Sequence, residues 1–507
     1  MFPQSEDRVN LRRVPDFYNG KSIFITGAAG YLGVIILETL LRACPGICSI
    51  YILLREKKGI QPECRKDAIF KRKIFYKLKE RQPDVFKKVH VVAGDVTLPN
   101  LGMSQADLLK LIEEVSVVFH CAASISFLKP LKFMVLQNSK ATYNVIEFSR
   151  KLKRIDALVY TSTAYSNSNR QRKIEEIIYR LPFPSQRFLD ELDNGNNDNL
   201  NALMDMCKPS WPNHYTFSKC LSENIILDYA SDLPVAIVRP SIILCSWKGI
   251  LPGYIEEGSG MVDLGIAVGK GFVRAIPGDP NTKIDLIPVD IVANTHIVTA
   301  WSVATGRSST PLVINCVAGE LLQPTLQEYH DTLFNMAVNN PLPRSFQRPS
   351  SSIQKNKFIY AIIVLFEHYI PALVIDMLLR LSGRKPRMLS LYRFYDSAVS
   401  ALNFFLTNSW NFQIDRFKSL AQQLDPKDEE MLYVDTSEYR VSSVSEVLPI
   451  GSPFYEWDID RKPMTERNRI TFIRYLFTSF IKTIVLAGVF FLFYIIISKV
   501  LQNTTIF

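Results

Sequence analysis

A chain of 507 residues exceeds the roughly 100 to 200 residues of a typical domain, so two or more folding units are expected. With 47% hydrophobic and 21% charged residues it is too apolar to be disordered, and the formal charge of +10 comes from Lys and Arg interleaved with acids, which excludes a nucleic-acid binder. Eight cysteines, at 44, 48, 64, 121, 207, 220, 245 and 316, have neither zinc-type spacing nor the density of a disulfide scaffold, so no metal site and reduced thiols in a cytosol-facing domain are expected.

Residues 1–20 carry Asp7, Arg8, Arg12 and Arg13 without an apolar stretch of signal-peptide length, and read as an N-terminal arm that stays in the cytosol. The β-rich run 22–25 leads into Thr26-Gly27-Ala28-Ala29-Gly30-Tyr31-Leu32-Gly33, after which 34–42 keeps a helical apolar pattern. Strand, glycine turn and helix in that order suit a dinucleotide: Gly27 for the tight turn, Gly30 for backbone approach to a pyrophosphate, Gly33 for close packing of helix on sheet. A second strand, 50–54, ends at Arg55, with Lys57 and Lys58 behind it. A cation at that strand end suits the 2′-phosphate of NADPH, where an acid would select NAD.

The strand 89–92 ends in Gly94-Asp95-Val96, with Asp95 placed to accept from an adenine amino group, and 115–119 ends in His120-Cys121-Ala122-Ala123-Ser124. Small residues at 122 and 123 let a flat cofactor lie against the backbone, and His120 is expected to be packed and hydrogen-bonded. Another strand, 156–160, runs into Thr161-Ser162-Thr163-Ala164-Tyr165. The stretch 211–219 then opens a helix on which Tyr215 and Lys219, four apart, share a face. In hydride chemistry a nearby ammonium lowers a phenol pKa so that Tyr215 can deliver a proton, while Lys219 also holds ribose hydroxyls. Ser162 or Thr163 would hydrogen-bond the substrate carbonyl oxygen as negative charge grows on it.

Toward the end of the chain, 358–381 is apolar but interrupted by Glu367, His368, Pro371, Asp376 and Arg380, and reads as a core or interfacial helix, with a hairpin in the membrane as the alternative. The stretch 475–498 carries the single charge of Lys482, and a helix of that length reaches about 36 Å, enough for one membrane span. Arg461, Lys462, Arg467, Arg469 and Arg474 precede it and only Lys499 follows, which points the large domain at the cytosol.

Together these motifs resemble the extended short-chain dehydrogenase/reductase superfamily and, within it, the fatty acyl-CoA reductases. The similarity runs through 26–33, 53–58, Gly94-Asp95-Val96-Thr97-Leu98-Pro99, 162–165, 211–219, Arg239-Pro240-Ser241, Gly269-Lys270-Gly271 and Ile287-Pro288-Val289-Asp290, and continues over 350–457, including Gly383-Arg384-Lys385-Pro386 and Trp410. It implies a Rossmann-type α/β fold, a doubly wound parallel sheet, over 21–345 with substrate-binding insertions, a helical C-terminal domain over 346–470 and a transmembrane helix at 475–498. It implies an NADPH-dependent, two-step reduction of a long-chain acyl-CoA to a primary alcohol through an aldehyde, with Tyr215, Lys219, Thr163 and Ser162 as catalytic residues. Implied cofactor contacts are Thr26, Gly27, Ala29, Gly30, Tyr31, Leu32, Gly33, Arg55, Lys58, Asp95, Val96, Ala122, Tyr215 and Lys219. The implied setting is the endoplasmic reticulum or peroxisome membrane, with a homo-oligomer among the arrangements it allows. Two positions depart from the family pattern: Val34, often Lys, and His214, often Thr.

A membrane-bound sterol or nucleotide-sugar dehydrogenase would share the motifs up to about residue 300 but not the more than 100 residues that follow, and a non-catalytic binding protein would not need Tyr215 and Lys219. Arg55→Asp is expected to raise the KM for NADPH far more than that for NADH; equal effects on both would remove the assignment of Arg55 to the phosphate.

Overall fold

The computed structural model describes residues 13–443, except 171–172, 257–260, 308–310 and positions within 340–346, together with isolated residues beyond. The expected span at 475–498, apart from such isolated positions, and residues 1–12 of the arm lie outside the described residues. The chain divides into two compact units with interleaved sequence. The first draws on Met1–Glu256, Asp285–Gln323 and Trp410–Gly451, the second on Glu257–Ile284, Pro324–Ser409 and Ser452–Phe507. The stretch expected as one helical domain, 346–470, is thus shared between the two.

In chain order the strands are β1 (Ser22–Thr26), β2 (Ser49–Leu54), β3 (Val89–Ala93), β4 (Val115–His120), β5 (Ala157–Thr161), β6 (Val235–Pro240), β7 (Ile242–Leu244), β8 (Ala275–Pro277), β9 (Leu286–Pro288), β10 (Leu312–Cys316) and β11 (Ser352–Gln354). Seven of them form one parallel sheet in the first unit, ordered β10-β6-β5-β4-β1-β2-β3. This is the doubly wound arrangement: from β1 the chain builds outward through β2 and β3, then returns to lay β4, β5 and β6 on the other side. The direction reverses between β1 and β4, which opens a crevice at their carboxyl ends.

The strands read as unbroken apolar runs because both faces of the sheet are covered. Ile23 and Ile25, with Ile50, Ile52, Val117 and Phe119, pack under the helices Tyr31–Ala43 and Val289–Ala304. Phe24, with Tyr51, Leu53, Val118 and Leu158, faces the opposite layer, which includes the helices Ala141–Lys151 and His214–Tyr229. Period-two side-chain direction thus splits one hydrophobic run between two cores.

Segments distant in sequence complete the first unit. The helix Val14–Tyr18 docks through the Tyr18 hydroxyl, which donates to the Ile297 carbonyl at 2.8 Å, and through Arg13, which pairs with Asp428 at 2.6 Å. Buried Glu176 accepts from the backbone N–H groups of Asn315, Arg416 and Phe417, stitching residues after 410 to β10. The second unit contains the helices Met261–Gly269, Leu326–Asn339 and Met388–Leu402, the β8–β11 pair, and a helical run from Lys357 to Leu381.

The glycine turn is built by contact. Gly27 has φ +78°, and a Cβ there would stand 2.6 Å from the Ala122 nitrogen; at Gly33 it would stand 2.3 Å from the Gly27 carbonyl oxygen. At Gly30 the nearest atom, again the Gly27 carbonyl oxygen, would be 3.3 Å away, a tight contact but not an overlap. Gly33→Ala is therefore expected to lift the helix off the turn and cost about 2 kcal/mol or more, read as a lower urea midpoint, and Gly30→Ala to cost clearly less. Equal losses would mean that Gly33 is not the close contact.

Candidate active site

Thr26 closes β1 and joins it to the end of β4. Its hydroxyl donates to His120 Nδ1 at 2.7 Å and accepts the Ala122 N–H at 3.3 Å. Thr142 gives its own proton to the Asn138 carbonyl, so it meets His120 Nε2 with a lone pair at 3.3 Å and the ring proton resides on Nε2. Burial, with the Lys219 charge second, lowers the His120 pKa to about 3, leaving a neutral structural imidazole.

Above the turn lies a cleft of about 290 Å³, floored by Gly27, Ala29 and Gly30 and walled by Ala122, Ala123, Asp95, Val96, Arg55, Lys57 and Arg65. No side chain caps the helix Tyr31–Ala43 at Gly30, so its first-turn N–H groups remain available to an anion. Of the expected contacts, Gly27, Ala29, Gly30, Arg55, Asp95, Val96 and Ala122 line this cleft. The others have different surroundings. Thr26 is the buried tie just described, Leu32 packs against the core, and the Tyr31 hydroxyl donates to the carbonyls of Leu244 and Tyr254 at 3.0 and 2.9 Å. Lys58 sits at a positive-φ position in the turn closed by Lys57 and Ile60, and it is Lys57 that lines the cleft. Val34 is fully buried in the core and has no access to a phosphate.

Arg65 is a cleft residue that sequence reading missed. It comes from the helix Pro62–Phe70 and donates through Nη1 to the Arg55 carbonyl at 2.6 Å. Its guanidinium pKa is lowered by burial and then by the neighbouring Arg55 and Arg72 charges. Asp95 is occupied on both oxygens: Oδ1 takes the N–H and hydroxyl of Thr97 at 2.9 Å, and Oδ2 faces Arg55 at 3.2 Å. Three cations, Arg55, Lys57 and Arg65, line the cleft beside the single carboxylate of Asp95, an excess of positive charge suited to a phosphate.

The helix His214–Tyr229 starts at Asn213, whose side chain accepts the Thr216 N–H. One turn in, Lys219 is buried. Its ammonium donates to the Thr161 carbonyl at 2.7 Å and lies 4.8 Å from the centre of the Tyr160 ring. Burial depresses its pKa to about 8 against the opposing influence of Cys121 and Glu223, and Cys121 itself lines the cleft. The Tyr215 ring stacks on Phe127 at 5.6 Å, and the Thr163 hydroxyl favours its ionised form.

Two expectations change here. The Tyr215 phenol is not lowered by Lys219: burial pushes it up to about 12, with the Thr163 hydroxyl pulling the other way. Ser162 and Thr163 also divide. The Thr163 hydroxyl acts on the Tyr215 phenol and donates to the Pro240 carbonyl at 3.4 Å, while the Ser162 hydroxyl donates to Glu223 Oε1 at 2.6 Å. Glu223 is fully buried beneath the site, bound by Arg239 at 2.8 and 2.7 Å and by Ser166 at 3.1 Å. His214 turns away and donates from Nδ1 to the Lys129 carbonyl at 2.9 Å. Asn138, also missed, lies in a π-helical turn and ties both backbone groups of Ser124 to the Ser218 hydroxyl, joining the loop after β4 to the Tyr215 helix.

Comparison with known proteins places this geometry. A NAD-binding model described as male sterility protein matches residues 25–296, and a second model with that description matches 367–452. Fatty acyl-CoA reductase 1 of Xenopus laevis is 33% identical over 476 residues, 93% of this chain and 92% of that protein. The chain belongs to the fatty acyl-CoA reductase family. The human fatty acyl-CoA reductases 1 and 2 are each 32% identical over 92% of the chain, covering 91% and 92% of their own lengths. Among solved structures, the reductase domain of a nonribosomal peptide synthetase from Mycobacterium tuberculosis shares the fold, with TM-score 0.55 at 19% identity over 88% of this chain and 96% of that one. The terminal reductase domain of the myxalamid pathway aligns with TM-score 0.54 at 19% identity over 88% of this chain and 93% of its own. As a member of the fatty acyl-CoA reductase family the protein is an oxidoreductase with a nicotinamide cofactor.

Thr163→Val removes the hydroxyl that acts on the Tyr215 phenol and is expected to lower kcat about 100-fold with little change in Tm. Ser162→Ala instead leaves Glu223 short of a donor and should cost about 1–3 kcal/mol of stability with a smaller loss of turnover. The reverse pattern would exchange the two roles.

Proposed function

We propose that the protein reduces a long-chain acyl-CoA to the primary alcohol with NADPH, releasing CoA and passing through the aldehyde. The observation that carries this reading is the extent of the likeness: the relatives named fatty acyl-CoA reductase align across more than nine-tenths of the chain, including the region after residue 300 that a sterol or sugar dehydrogenase has no reason to carry.

The cleft fits the cofactor on its own chemistry. A side chain at position 27 would collide with the backbone of residues 121 and 122 that walls the cleft, the uncapped helix start would face the pyrophosphate, and Arg55, Lys57 and Arg65 would surround the 2′-phosphate. Bound there, NADPH supplies the hydride for each of the two reductions. The protein supplies position and a proton. Thr163 would hold the substrate carbonyl oxygen, stabilising negative charge as it develops. Tyr215, whose phenol stays protonated well above neutral pH, would pass its proton to that oxygen at the aldehyde stage. Lys219, cationic at neutral pH and fixed to the Thr161 carbonyl, would orient the ribose hydroxyls. Burial of these groups excludes water, which keeps the aldehyde from hydration between steps.

A long acyl chain partitions into membranes because each buried CH₂ contributes roughly 0.8 kcal/mol. Anchoring by 475–498, with the catalytic unit on the cytosolic side of the endoplasmic reticulum or peroxisome membrane, would hold the enzyme beside that pool. Purified full-length protein given NADPH and acyl-CoAs of graded length should consume two NADPH for each CoA thiol released and yield the alcohol, and Tyr215→Phe should lower kcat by roughly 10²–10⁴. NADPH oxidation with sterols but not with acyl-CoA would overturn the proposal.

A further inference from the structure

We propose that the helix from Lys357 to Leu381 lies in the plane of a lipid bilayer and inserts an apolar stripe among the acyl chains of its surface leaflet, with the turn that follows held by anionic headgroups. The proposal rests on the membrane association proposed above and adds to it a second contact, on the folded part of the chain.

The helix is continuous through Lys357–Val364, a π-helical turn at Leu365–Tyr369, and Ile370–Leu381. Among the described residues it alone is long and apolar enough to cross a membrane, yet only 17% of its most apolar stretch is buried. That excludes the core helix expected as one reading of this stretch.

The two faces are reversed relative to a helix that meets water. Val364, His368, Ala372 and Asp376, spaced every four residues, are buried. Asp376 accepts the N–H groups of Arg387, Met388 and Leu389 at 2.8, 2.9 and 3.0 Å, satisfying the start of the helix Met388–Leu402. His368 accepts the Arg274 N–H at 2.9 Å and stacks on Tyr392, Glu367 faces Arg274 at 3.7 Å, and Tyr369 donates to Asp396. Outward stand Phe358, Ile362, Leu365, Leu373, Met377 and Leu381, at 73, 42, 48, 50, 55 and 83% exposure. These positions follow one another at three- or four-residue steps, or twice that, and so form a single stripe. Polar groups inside and apolar groups outside suit a surrounding of lipid, not of water.

A crossing orientation does not fit. Glu367, His368 and Asp376 are bound to Arg274 and to the helix 388–402, so spanning would draw these elements and their charges into hydrocarbon. Lying in the plane satisfies both faces. The charge at one end agrees: Arg380, Arg384, Lys385, Arg387 and Arg393 are exposed, and no acid occurs between 380 and 393.

Full-length protein is reconstituted in phosphatidylcholine–phosphatidylserine vesicles carrying an acyl-chain diazirine, photolysed and mapped by mass spectrometry. Adducts are expected on Ile362, Leu365, Leu373 and Met377 and not on Val364 or Asp376. Leu373→Asp with Met377→Asp should reduce labelling of the stripe at least tenfold while adducts within 475–498 persist. Adducts confined to 475–498 would overturn the inference and leave the anchor intact. A stripe shielded from both the lipid probe and a water-borne carbene would also overturn it, since another segment or a second copy would then cover it, as would a stripe labelled only from water.

Discussion

At the carboxyl end of β1, Gly27 lies so close to the backbone of residues 121 and 122 that no side chain could be added without displacing one strand end from the other. This approach brings the termini of β1 and β4 together where the winding of the sheet reverses, and leaves the cleft above them. Thr26 fixes the distance with one hydroxyl, donating to a histidine that burial keeps neutral and accepting from Ala122. Gly33, under the Gly27 carbonyl, aims the helix start into the same space. The floor of the site is thus set by backbone contact, and side chains are needed only at its walls.

A second constraint sits one layer below. Glu223 and Arg239 form an ion pair with no exposure, held from both sides: Ser162 and Ser166 donate to the carboxylate, and the guanidinium also reaches the carbonyls of Glu175 and Ile177. Breaking such a pair costs about 3–5 kcal/mol, since it strands a buried charge. Because Glu223 follows Lys219 by one turn of the same helix, the pair also fixes the rotation of the helix that presents Lys219 and Tyr215.

Much of this was legible in the sequence, and the exceptions have physical causes. The strands could be read because burial on both faces makes them unbroken apolar runs, and the glycine turn because its contacts tolerate no side chain. Arg55 could be read from its place at a strand end. Arg65 could not: it reaches the cleft because the helix 62–70 folds back over that strand end, and local spacing carries no record of the return. Lys57 takes the place expected of Lys58 through the geometry of one tight turn. Adjacent hydroxyls at 162 and 163 point to different sides as the strand ends, and only the position of Glu223 decides which is structural. For the helix 357–381, composition reveals length and hydrophobicity, whereas the direction its polar residues face depends on partners at 274 and 387–396.

The order in which the chain visits its two units bears on its birth at the ribosome. The first unit is left at residue 256, resumed at 285, left again at 323 and resumed at 410. The carboxylates at 176, 290 and 428 each take a partner from a segment made more than 100 residues later or earlier. The contacts that complete the Rossmann unit are therefore available only after more than 90 residues beyond its last strand have been synthesised. Nascent chains of this length would need shielding during that interval, and a gene cut after the last sheet strand would encode a fragment with unfilled edges instead of an autonomous domain.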